Sequence, residues 1–436
     1  MSNINRRQLL GAAGLGLATL PLASGAAGAS APRRGAQPPR PAHPAGTVTG
    51  ADRLEQSGWA ALAGQRVGVV TNPTGILDDL THLVDRMVGS GKVNVVAVFG
   101  PEHGFRGTAQ AGDAEGNHVD PRTGVTVYDV YGATATKLAD FYRAAHVETV
   151  VFDIQDVGAR FYTYIWTMYE AMKAAVATGA RFVVLDRPNP VGGSARGPML
   201  LPGFTSGVGK KEIVQQHGMT VGELARFFDG EFLQPEVGAR LSELTVLAMS
   251  GWCRHQTFAD TGLTWVTPSP NMPTADTALI YPGTCLFEAT NMSEGRGTTR
   301  PFELIGAPYV DYKWAEALSG KGVPGVAFRE TYFNPTFSKN AGKVCGGVQV
   351  HITDPSKVEA ITAATHMMVE AKRLYAGFDW RGDAGRWVDL LTGSTRFREM
   401  LMAGAPAAEI VGAWREELSE WNRRRDVYLL YPAARP

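Results

Sequence analysis

The stretch VVAVFGPEHGFRG, residues 95–107, shows how this chain is built and where its chemistry begins. A run of apolar residues ends at Gly100-Pro101, and a carboxylate and an imidazole, Glu102 and His103, follow at once. A continuous apolar run closed by Gly and Pro is typical of a strand buried on both faces of a parallel sheet. Glu102 and His103 are therefore predicted to lie in the loop at the carboxyl end of that strand.

Three similar runs accompany this strand along the chain. They are RVGVVTNPTG at 66–75, TVVFDIQDVGARF at 149–161 and RFVVLDRPNPVGG at 181–193. Helical spacing separates the four runs, as in ATKLADFYRAA and WTMYEAMKAAVATG. Buried strands that alternate with helices indicate βαβ units, so the sequence predicts an α/β fold with a mostly parallel sheet covered on both faces.

The carboxyl ends of parallel strands meet at one edge of a sheet, and ligands bind in the crevice beyond that edge. All four predicted strands end in polar groups there: Asn72, Glu102, His103, Asp153, Asp156, Arg160, Asp186, Arg187 and Asn189. The sequence therefore predicts a binding crevice at this edge. Capping of a helix and a structural pair with Arg160 would explain Asp153 and Asp156 equally well.

The N-terminal segment indicates export. Residues 1–29 carry twin arginines, a mildly apolar Ala/Gly/Leu run and an Ala-Gly-Ala cleavage site, which is typical of a twin-arginine signal peptide. A Sec signal or an uncleaved anchor is the alternative, and each places the protein in the periplasm or outside the cell. Residues 30–50 read as a disordered Pro/Ala linker. No later segment is apolar enough to predict stable membrane insertion after signal cleavage.

The rhythm of strands and helices breaks at residues 265–303, which are rich in proline, glycine and close-set charges. We predict a domain boundary near residue 275. It divides the chain into a parallel-sheet domain, 51–274, and a smaller mixed α/β domain, 275–436.

Composition and missing motifs exclude several classes of function. The 42 basic residues balance the 42 acidic ones, so nothing indicates a nucleic-acid partner. Cys253, Cys285 and Cys345 are too scattered for a disulfide framework and are predicted to be core residues. No metal-binding motif, no glycine-rich phosphate cradle and no G-x-S-x-G elbow is present. We expect no metal, no cofactor and no serine nucleophile.

Carboxylate chemistry remains. Cleavage of a glycosidic bond needs an acid to protonate the leaving oxygen and a second group to act as base, nucleophile or stabiliser. The candidates are Glu102, Asp153, Asp156 and Glu294. Glu102 follows a tight turn against an apolar strand, where partial desolvation would favour the protonated form that a general acid needs.

Two further stretches could bind a ligand. NMSEGRGTTRPFE, residues 291–303, brings Arg296 and Arg300 close together, and such a pair suits a carboxylate or a phosphate. A structural crossover between domains is the alternative. RFYTYIWTMY, residues 160–169, offers tyrosines and a tryptophan that could stack on a sugar, although core packing would use the same residues.

Several of these segments together resemble one known family, the exo-β-N-acetylmuramidases. The motifs, in order from about residue 54 onward, are GPEHGFRG, FDIQDVGARFYTY, LDRPNP, HGMTVGE, PSPNMPT and YPGTCLFEATNMSEGRGTTRPFE. The resemblance implies a Rossmann-like domain, a smaller C-terminal domain and an active-site cleft between them. It also implies removal of terminal, non-reducing-end N-acetylmuramic acid from peptidoglycan fragments, with Glu102 as the catalytic residue. VQQHGMT lacks the arginine often found before this histidine in the family.

The residue patterns, taken together with this resemblance, lead us to expect particular roles for particular residues. His103, Asp153 and Asp156 would orient Glu102 or the substrate. The residues expected to bind muropeptides or saccharides of N-acetylmuramic acid and N-acetylglucosamine are Asn72, Arg160, Tyr164, Asn271, Asn291, Glu294, Arg296 and Arg300. One of the last two arginines is expected to pair with the lactyl carboxylate that distinguishes N-acetylmuramic acid from N-acetylglucosamine.

Two other classes of function stay open at this stage. A non-catalytic muropeptide-binding protein would have the same cleft. An exported amidase or esterase would use the Glu102–His103 pair on an acyl bond. For a glycosidase, retention, inversion and participation of the substrate's own 2-acetamido group are all open.

Overall fold

The computed structural model describes residues 46–110, 112–382 and 384–433. The predicted signal peptide and residues 30–45 of the predicted linker lie outside the described residues. The strands are β1 (Arg66–Thr71), β2 (Asn94–Gly100), β3 (His118–Val119), β4 (Thr126–Asp129), β5 (Thr149–Asp153), β6 (Arg181–Leu185), β7 (Arg196–Met199), β8 (Val214–Gln216), β9 (Leu244–Leu247), β10 (Leu304–Ala307), β11 (Val326–Phe333) and β12 (Cys345–Ile352).

The helices surround these strands and fill the second half of the chain. They are α1 (Gly50–Gln56), α2 (Leu83–Ser90), α3 (Ala135–Ala144), α4 (Tyr164–Thr178), α5 (Val221–Phe228), α6 (Gln234–Val237), α7 (Ala275–Thr284), α8 (Lys313–Ser319), α9 (Ala360–Leu374), α10 (Arg386–Thr392), α11 (Arg396–Ala403), α12 (Ala407–Gly412) and α13 (Arg415–Asp426). The sequence predicts one helix over the tail, but the structure has two, because the chain turns at Ala413 and Trp414.

The central sheet has seven strands in the order β3-β4-β2-β1-β5-β6-β9. All neighbouring pairs are parallel except β3 with β4. β1 pairs with β2 on one side and β5 on the other, so the chain reverses its direction of progress across the sheet at this point. Such a switch point opens a crevice at the carboxyl ends of the strands. The predicted α/β fold with a mostly parallel sheet is confirmed.

Alternate residues of the central strands serve two cores, one on each face of the sheet. Val67 and Val69 of β1 pack on the face that carries α1 and α2, with Leu54, Leu83, Val84 and Met87. Val70 faces the larger core on the other side, with Phe99, Tyr142, Phe152 and Phe182. Because both faces are buried, the strands read as continuous apolar runs rather than as an alternation.

The C-terminal part contains a smaller, antiparallel sheet in the order β10-β12-β11, covered by helices. It begins with α7, at the residue where the sequence predicts a boundary. The last helix, α13, packs back onto the first part of the chain. Trp421 donates a hydrogen bond to the carbonyl of His217 (3.0 Å), and Arg425 donates to the carbonyl of Gly193 (3.0 Å).

The predicted linker, 30–50, extends too far. Residues 46–50 belong to the fold, because Val48 pairs with Ser250 and Thr49 caps α1 in a capping box with Asp52. The stretch TVGE, residues 220–223, carries the capping-box signature, and Thr220 and Glu223 form that box at the start of α5.

The three cysteines are buried and free, which confirms the prediction that they are core residues. None of the described helices is both long and apolar enough to cross a bilayer.

Candidate active site

A cleft of about 580 Å³ opens beyond the carboxyl end of β2. One wall comes from the loops after β2 and β4, the start of α4 and the loop before β8. The other wall comes from the C-terminal part, through α7, the turn Cys285–Ala289, the loop at residues 291–303, which we call the glycine-rich loop, and α10. Polar side chains that line this cleft include Glu102, His103, Tyr131, Thr163, Glu170, Lys210, Glu288 and Arg296.

A tight turn after β2 carries Glu102 into this cleft. The amide of Gly104 donates to the carbonyl of Pro101 (2.9 Å), which closes the turn. Gly104 has a φ of +80°, and a Cβ there would lie 2.4 Å from the carboxylate of Glu115. That carboxylate accepts the amide of Phe105 (2.8 Å). The turn therefore needs glycine at residue 104, both for its conformation and for the approach of Glu115.

The carboxylate of Glu102 is partly buried and held by neutral donors. Its Oε2 accepts the hydroxyl of Thr163 at 2.8 Å, and its Oε1 lies 3.4 Å from the amide of Gly112. The hydroxyl of Tyr131 also lies next to Glu102, and partial burial together with the charge of Glu102 raises the pKa of that phenol. Within the described part of the chain, no lysine or arginine forms an ion pair with Glu102.

His103 is held in an unusual backbone conformation beside Glu102. Its φ of +74° lies in the left-handed region, which costs a non-glycine residue about 1–3 kcal/mol and is commonest at functional sites. Its Nδ1 lies 3.1 Å from the carbonyl of Ala109, so Nδ1 carries the proton. Burial lowers the pKa of His103 although the charge of Glu102 opposes this. A neutral imidazole therefore lies next to the carboxylate.

Aromatic side chains pack along the floor and join the two walls. Tyr162 makes edge-to-face contacts with Tyr164 (5.1 Å between centroids) and with Tyr281 of α7 (5.7 Å). Trp166 is 2% exposed and donates to the carbonyl of Arg160 (2.8 Å), so it serves the core. The hydroxyl of Tyr164 contacts the carbonyl of Glu102 at 3.4 Å and supports the turn that carries Glu102.

Glu288 and Arg296 form an ion pair on the C-terminal wall. The guanidinium of Arg296 lies 2.7 Å from Glu288 and 3.3 Å from Glu294, and Glu294 also pairs with Lys339 at 2.8 Å. Despite its burial, the two carboxylates raise the pKa of Arg296. Gly297 lets the segment that carries Lys339 come close to this loop, because a Cβ at residue 297 would lie 2.6 Å from the amide nitrogen of Phe337.

Glu170 and Lys210 form a second ion pair, on the wall built by α4. The Nζ of Lys210 lies 2.7 Å from Oε1 of Glu170. The other oxygen of Glu170 accepts the amide of Ala135 (2.9 Å) and lies 3.3 Å from Lys173. Of the three carboxylates in the cleft, Glu170 and Glu288 are therefore neutralised by cations, and Glu102 is hydrogen-bonded to neutral groups.

Comparison with known proteins identifies the family. The family model described as exo-beta-N-acetylmuramidase NamZ, N-terminal, matches residues 67–276, and its C-terminal counterpart matches residues 279–431. The chain belongs to the exo-β-N-acetylmuramidase NamZ family. The resemblance seen in the sequence motifs is thereby confirmed. The two matches meet between residues 276 and 279, beside the predicted boundary near residue 275.

Individual relatives agree with this membership of the NamZ family. The chain is 43% identical over 386 residues to the peptidoglycan beta-N-acetylmuramidase NamZ of Bacillus subtilis (strain 168), which covers 88% of this chain and 91% of that protein. Two DUF1343 family proteins of Bacteroides fragilis NCTC 9343 share the fold. One has a TM-score of 0.77 with 33% identity and covers 89% of this chain and 100% of that chain. The other has a TM-score of 0.70 with 29% identity and covers 89% and 99%.

Asn72 and Asp153 lie beneath the lining of the cleft. Asp153 is fully buried and makes a bidentate pair with Arg187, with N–O distances of 2.6 and 2.9 Å. Asn72 is also fully buried, and its Oδ1 accepts both the amide (2.9 Å) and the hydroxyl (2.6 Å) of Thr74. Asn72, which we expected to bind substrate, and Asp153, which we expected to orient Glu102 or the substrate, are therefore both engaged in structural contacts inside the protein.

Asp156 lies in the same layer. Its Oδ2 accepts the amide of Gly158 (2.7 Å) and lies 3.2 Å from Nε2 of His217. Because Nδ1 of His217 accepts the amide of Met219 (3.2 Å), Nε2 carries the proton and donates to Asp156. We call Asn72, Asp153, Asp156, Arg187 and His217 the buried polar layer.

Arg160 and Asn271 also lie outside the lining. Arg160 is fully buried and donates to the carbonyls of Leu391 and Ile213, so it links the two parts of the chain. Its side chain therefore binds backbone carbonyls and not the carboxylates of Asp153 and Asp156. Burial lowers its pKa to about 9. The backbone amide of Asn271 donates to Oγ of Ser269 (3.2 Å), which itself lines the cleft.

The remaining predicted residues of the C-terminal part lie behind the wall. Asn291 bridges the carbonyl of Gly377 (2.6 Å) and the hydroxyl of Tyr309 (2.6 Å). Arg300 is 45% exposed and lies 3.4 Å from Glu303. Glu294 is buried behind Arg296, as described above. Of the two arginines expected to meet a ligand carboxylate, only Arg296 lines the cleft.

Several residues of the cleft were missed by the sequence analysis. Thr163 and Glu288 lie inside the motifs that carry the family resemblance, and that membership was the signal available for them. Tyr131 and Lys210 lie in loops whose sequence resembles an ordinary polar surface, so only the fold brings them to the site. Within the residues that the structure describes, no group of three His, Cys, Asp or Glu side chains could hold a metal ion.

Proposed function

We propose that this protein is an exo-acting glycoside hydrolase that releases terminal, non-reducing-end N-acetylmuramic acid from peptidoglycan fragments, with Glu102 as general acid. Membership of the exo-β-N-acetylmuramidase NamZ family supports the reaction. The 43% identical relative, named as a peptidoglycan beta-N-acetylmuramidase, supports the substrate.

One observation carries the choice of Glu102. It is the cleft carboxylate without a cationic partner among the described residues, whereas Glu170 and Glu288 are ion-paired. A cation stabilises the ionised carboxylate and opposes protonation, so a paired carboxylate is a poor proton donor near neutral pH. A carboxyl group among neutral donors in a partly buried site can hold a proton and give it to a leaving oxygen.

The geometry suggests how the proton is transferred. Oε2 is held by the hydroxyl of Thr163, while the contact of Oε1 with the amide of Gly112 is long, at 3.4 Å. We therefore assign Oε1, the less tightly held oxygen, as the atom that gives its proton to the glycosidic oxygen. When it has left, the hydroxyls of Thr163 and Tyr131 stabilise the carboxylate that forms. His103, neutral and fixed by Ala109, holds the turn in place without competing for the proton.

We further propose that the mature protein acts on peptidoglycan fragments outside the cytoplasm, in the periplasm or after secretion. The twin arginines and the Ala-Gly-Ala site within residues 1–29 support this. Replacement of Arg6 and Arg7 by lysine should retain the precursor inside the cell, as measured by fractionation, whereas export that continues unchanged would exclude the twin-arginine route.

The function can be tested with a defined disaccharide. N-acetylmuramyl-β-1,4-N-acetylglucosamine is incubated with the mature protein and with Glu102→Gln, and the products are separated by mass. The wild type should release N-acetylmuramic acid, and the variant should release about 10²–10⁴-fold less. Binding of the disaccharide without any cleavage by the wild type would instead support a muropeptide-binding protein. NMR of the first anomer formed would distinguish inversion from retention.

A further inference from the structure

The cleft contains two permanently charged side chains that could meet an anionic ligand, Arg296 and Lys210, among the residues described. They lie on opposite walls, Arg296 in the glycine-rich loop and Lys210 before β8. The structure shows how far the charge of each is already balanced, and this decides which of the two is available to a ligand.

The charge of Arg296 is balanced within the protein. It pairs with Glu288 and Glu294, and Lys339 pairs with Glu294. These four residues carry two positive and two negative charges. A ligand carboxylate approaching Arg296 would have to displace Glu288 or accept its repulsion. The C-terminal wall is therefore a poor site for a further anion.

Lys210 belongs to a chain of ion pairs with an excess of positive charge. It pairs with Glu170 (2.7 Å), Glu170 with Lys173 (3.3 Å), Lys173 with Glu236 (2.6 Å), and Glu236 with Lys211. Three cations share two carboxylates, so the chain carries one net positive charge. Lys210 is its only member besides Glu170 that lines the cleft. Its side chain is 32% exposed and can reach a ligand.

We propose that Lys210 binds the free lactyl carboxylate of the terminal N-acetylmuramic acid and thereby selects it over N-acetylglucosamine. This assignment rests on the proposed function and replaces the expected role of Arg296 or Arg300. The ligand carboxylate neutralises the one unbalanced charge of the chain. Glu170 keeps the amide of Ala135 and Lys173 as partners, so Lys210 can turn towards the ligand without leaving Glu170 unpaired.

The proposal has a consequence for the class of substrate. A stem peptide is joined to muramic acid through an amide of this same lactyl carboxyl group, which removes the negative charge. An ammonium group gains less from a neutral amide than from a carboxylate. Lys210 therefore favours a muramic end with a free lactyl carboxyl group over one that carries the peptide amide.

The test uses three chromogenic β-glycosides: of N-acetylmuramic acid, of its lactyl N-methylamide and of N-acetylglucosamine. The proteins are the wild type, Lys210→Met and Lys211→Met. Both substitutions remove one charge from the same chain of ion pairs, but Lys211 does not line the cleft. The wild type should prefer the carboxylate over the amide by about 10–100-fold in kcat/KM, the value of one charge-assisted hydrogen bond. Lys210→Met should lose this preference by slowing only the carboxylate substrate, and Lys211→Met should keep it.

Three outcomes would overturn the proposal. Lys210→Met could keep the preference, it could slow all three substrates equally, or Lys211→Met could lose the preference to the same extent, which would mean that the field and not the contact matters. Failure of the wild type to cleave any glycoside would count against the proposed function instead. In that case calorimetry of N-acetylmuramic acid and N-acetylglucosamine with the same three proteins tests Lys210 by binding alone, and an equal affinity of wild type and Lys210→Met for N-acetylmuramic acid would reject it.

Discussion

Glu102 and Asp153 leave the same edge of the sheet but are used differently. Glu102 lies two residues after the end of β2, and Asp153 is the last residue of β5. These two strands are the neighbours of β1 in the sheet. Glu102 turns into the cleft and meets neutral donors. Asp153 stays beneath it, fully buried, in a bidentate pair with Arg187.

The difference lies in the partner rather than in the carboxylate. A carboxylate that must take up and release a proton needs neutral neighbours, because a cation would fix it in the ionised form. A carboxylate that stabilises a fold gains from such a cation, since burial without a partner would cost several kcal/mol. The buried polar layer thus holds the strand ends in place, and the turn above it presents Glu102.

The largest expected effect separates the two residues by activity. Glu102→Gln keeps the size of the side chain and removes its acidic proton, so kcat/KM on an N-acetylmuramic acid glycoside should fall by about 10²–10⁴-fold. The free energy of unfolding should change by less than about 1 kcal/mol, because the hydrogen bond from Thr163 can be kept by the amide oxygen. A variant that retains more than a tenth of the activity would remove Glu102 from the chemistry.

The second prediction concerns the buried polar layer, where substitution of a carboxylate should reduce the free energy of unfolding. Asp153→Asn leaves the guanidinium of Arg187 buried beside a neutral group, so urea unfolding should show a loss of about 3–5 kcal/mol. Asp79→Asn is the matched control, because its pair with Arg86 is 48% exposed on the aspartate side, and it should change stability by less than about 1 kcal/mol. If Asp153→Asn were stable but inactive, the contrast with Glu102 would be broken and the sequence-based role of Asp153 would stand.

The sequence predicts the sheet well because its signals are local. Four apolar runs closed by Gly or Pro predict β1, β2, β5 and β6, and each forms where the pattern places it. The Gly100-Pro101 turn likewise predicts that Glu102 emerges at the carboxyl edge. These features depend on residues within one strand or turn, and the chain that follows does not change them.

The composition of the cleft depends on distant contacts and could not be read in the same way. Asp153 and Glu102 give the same sequence signal, and only the position of Arg187 distinguishes them. Lys210 reaches the cleft because the following strand, β8, is hydrogen-bonded to the segment before α4, where the amide of Arg160 donates to the carbonyl of Gln215 (2.8 Å). The helix α7 continues through Pro282, although proline inside a helix removes an amide donor. Arg296 and Arg300 are four residues apart, yet the turn between them brings only one into the lining.

The third prediction concerns pH and the support of the buried polar layer. His82 donates through Nε2 to the carbonyl of Asn72 (3.0 Å) and accepts the amide of Val84 at Nδ1 (3.2 Å), capping α2. Burial lowers the pKa of His82 to about 4. The unfolded chain takes up a proton near its ordinary value of about 6.5. The stability from this residue is therefore present above pH 6.5 and lost as the pH falls towards 4.

Measurement of the free energy of unfolding between pH 7.5 and 4 should reveal this loss. The wild type should lose roughly 2–3 kcal/mol more than His82→Asn over that range. Asparagine can still cap α2 but cannot be protonated, so it serves as the comparison. Parallel pH curves for the two proteins would show that His82 is not the group that titrates.

The smallest expected effect concerns the donor that holds Glu102. The hydroxyl of Thr163 donates to Oε2 at 2.8 Å and fixes the orientation of the carboxylate in the cleft. Thr163→Val removes one neutral hydrogen bond, worth about 0.5–1.5 kcal/mol, so kcat/KM on an N-acetylmuramic acid glycoside should fall by about 2–10-fold. Thr163→Ser keeps the hydroxyl and should keep the activity of the wild type. An equal loss in both variants would trace the effect to packing at residue 163, and unchanged activity of Thr163→Val would show that this hydrogen bond does not position Glu102.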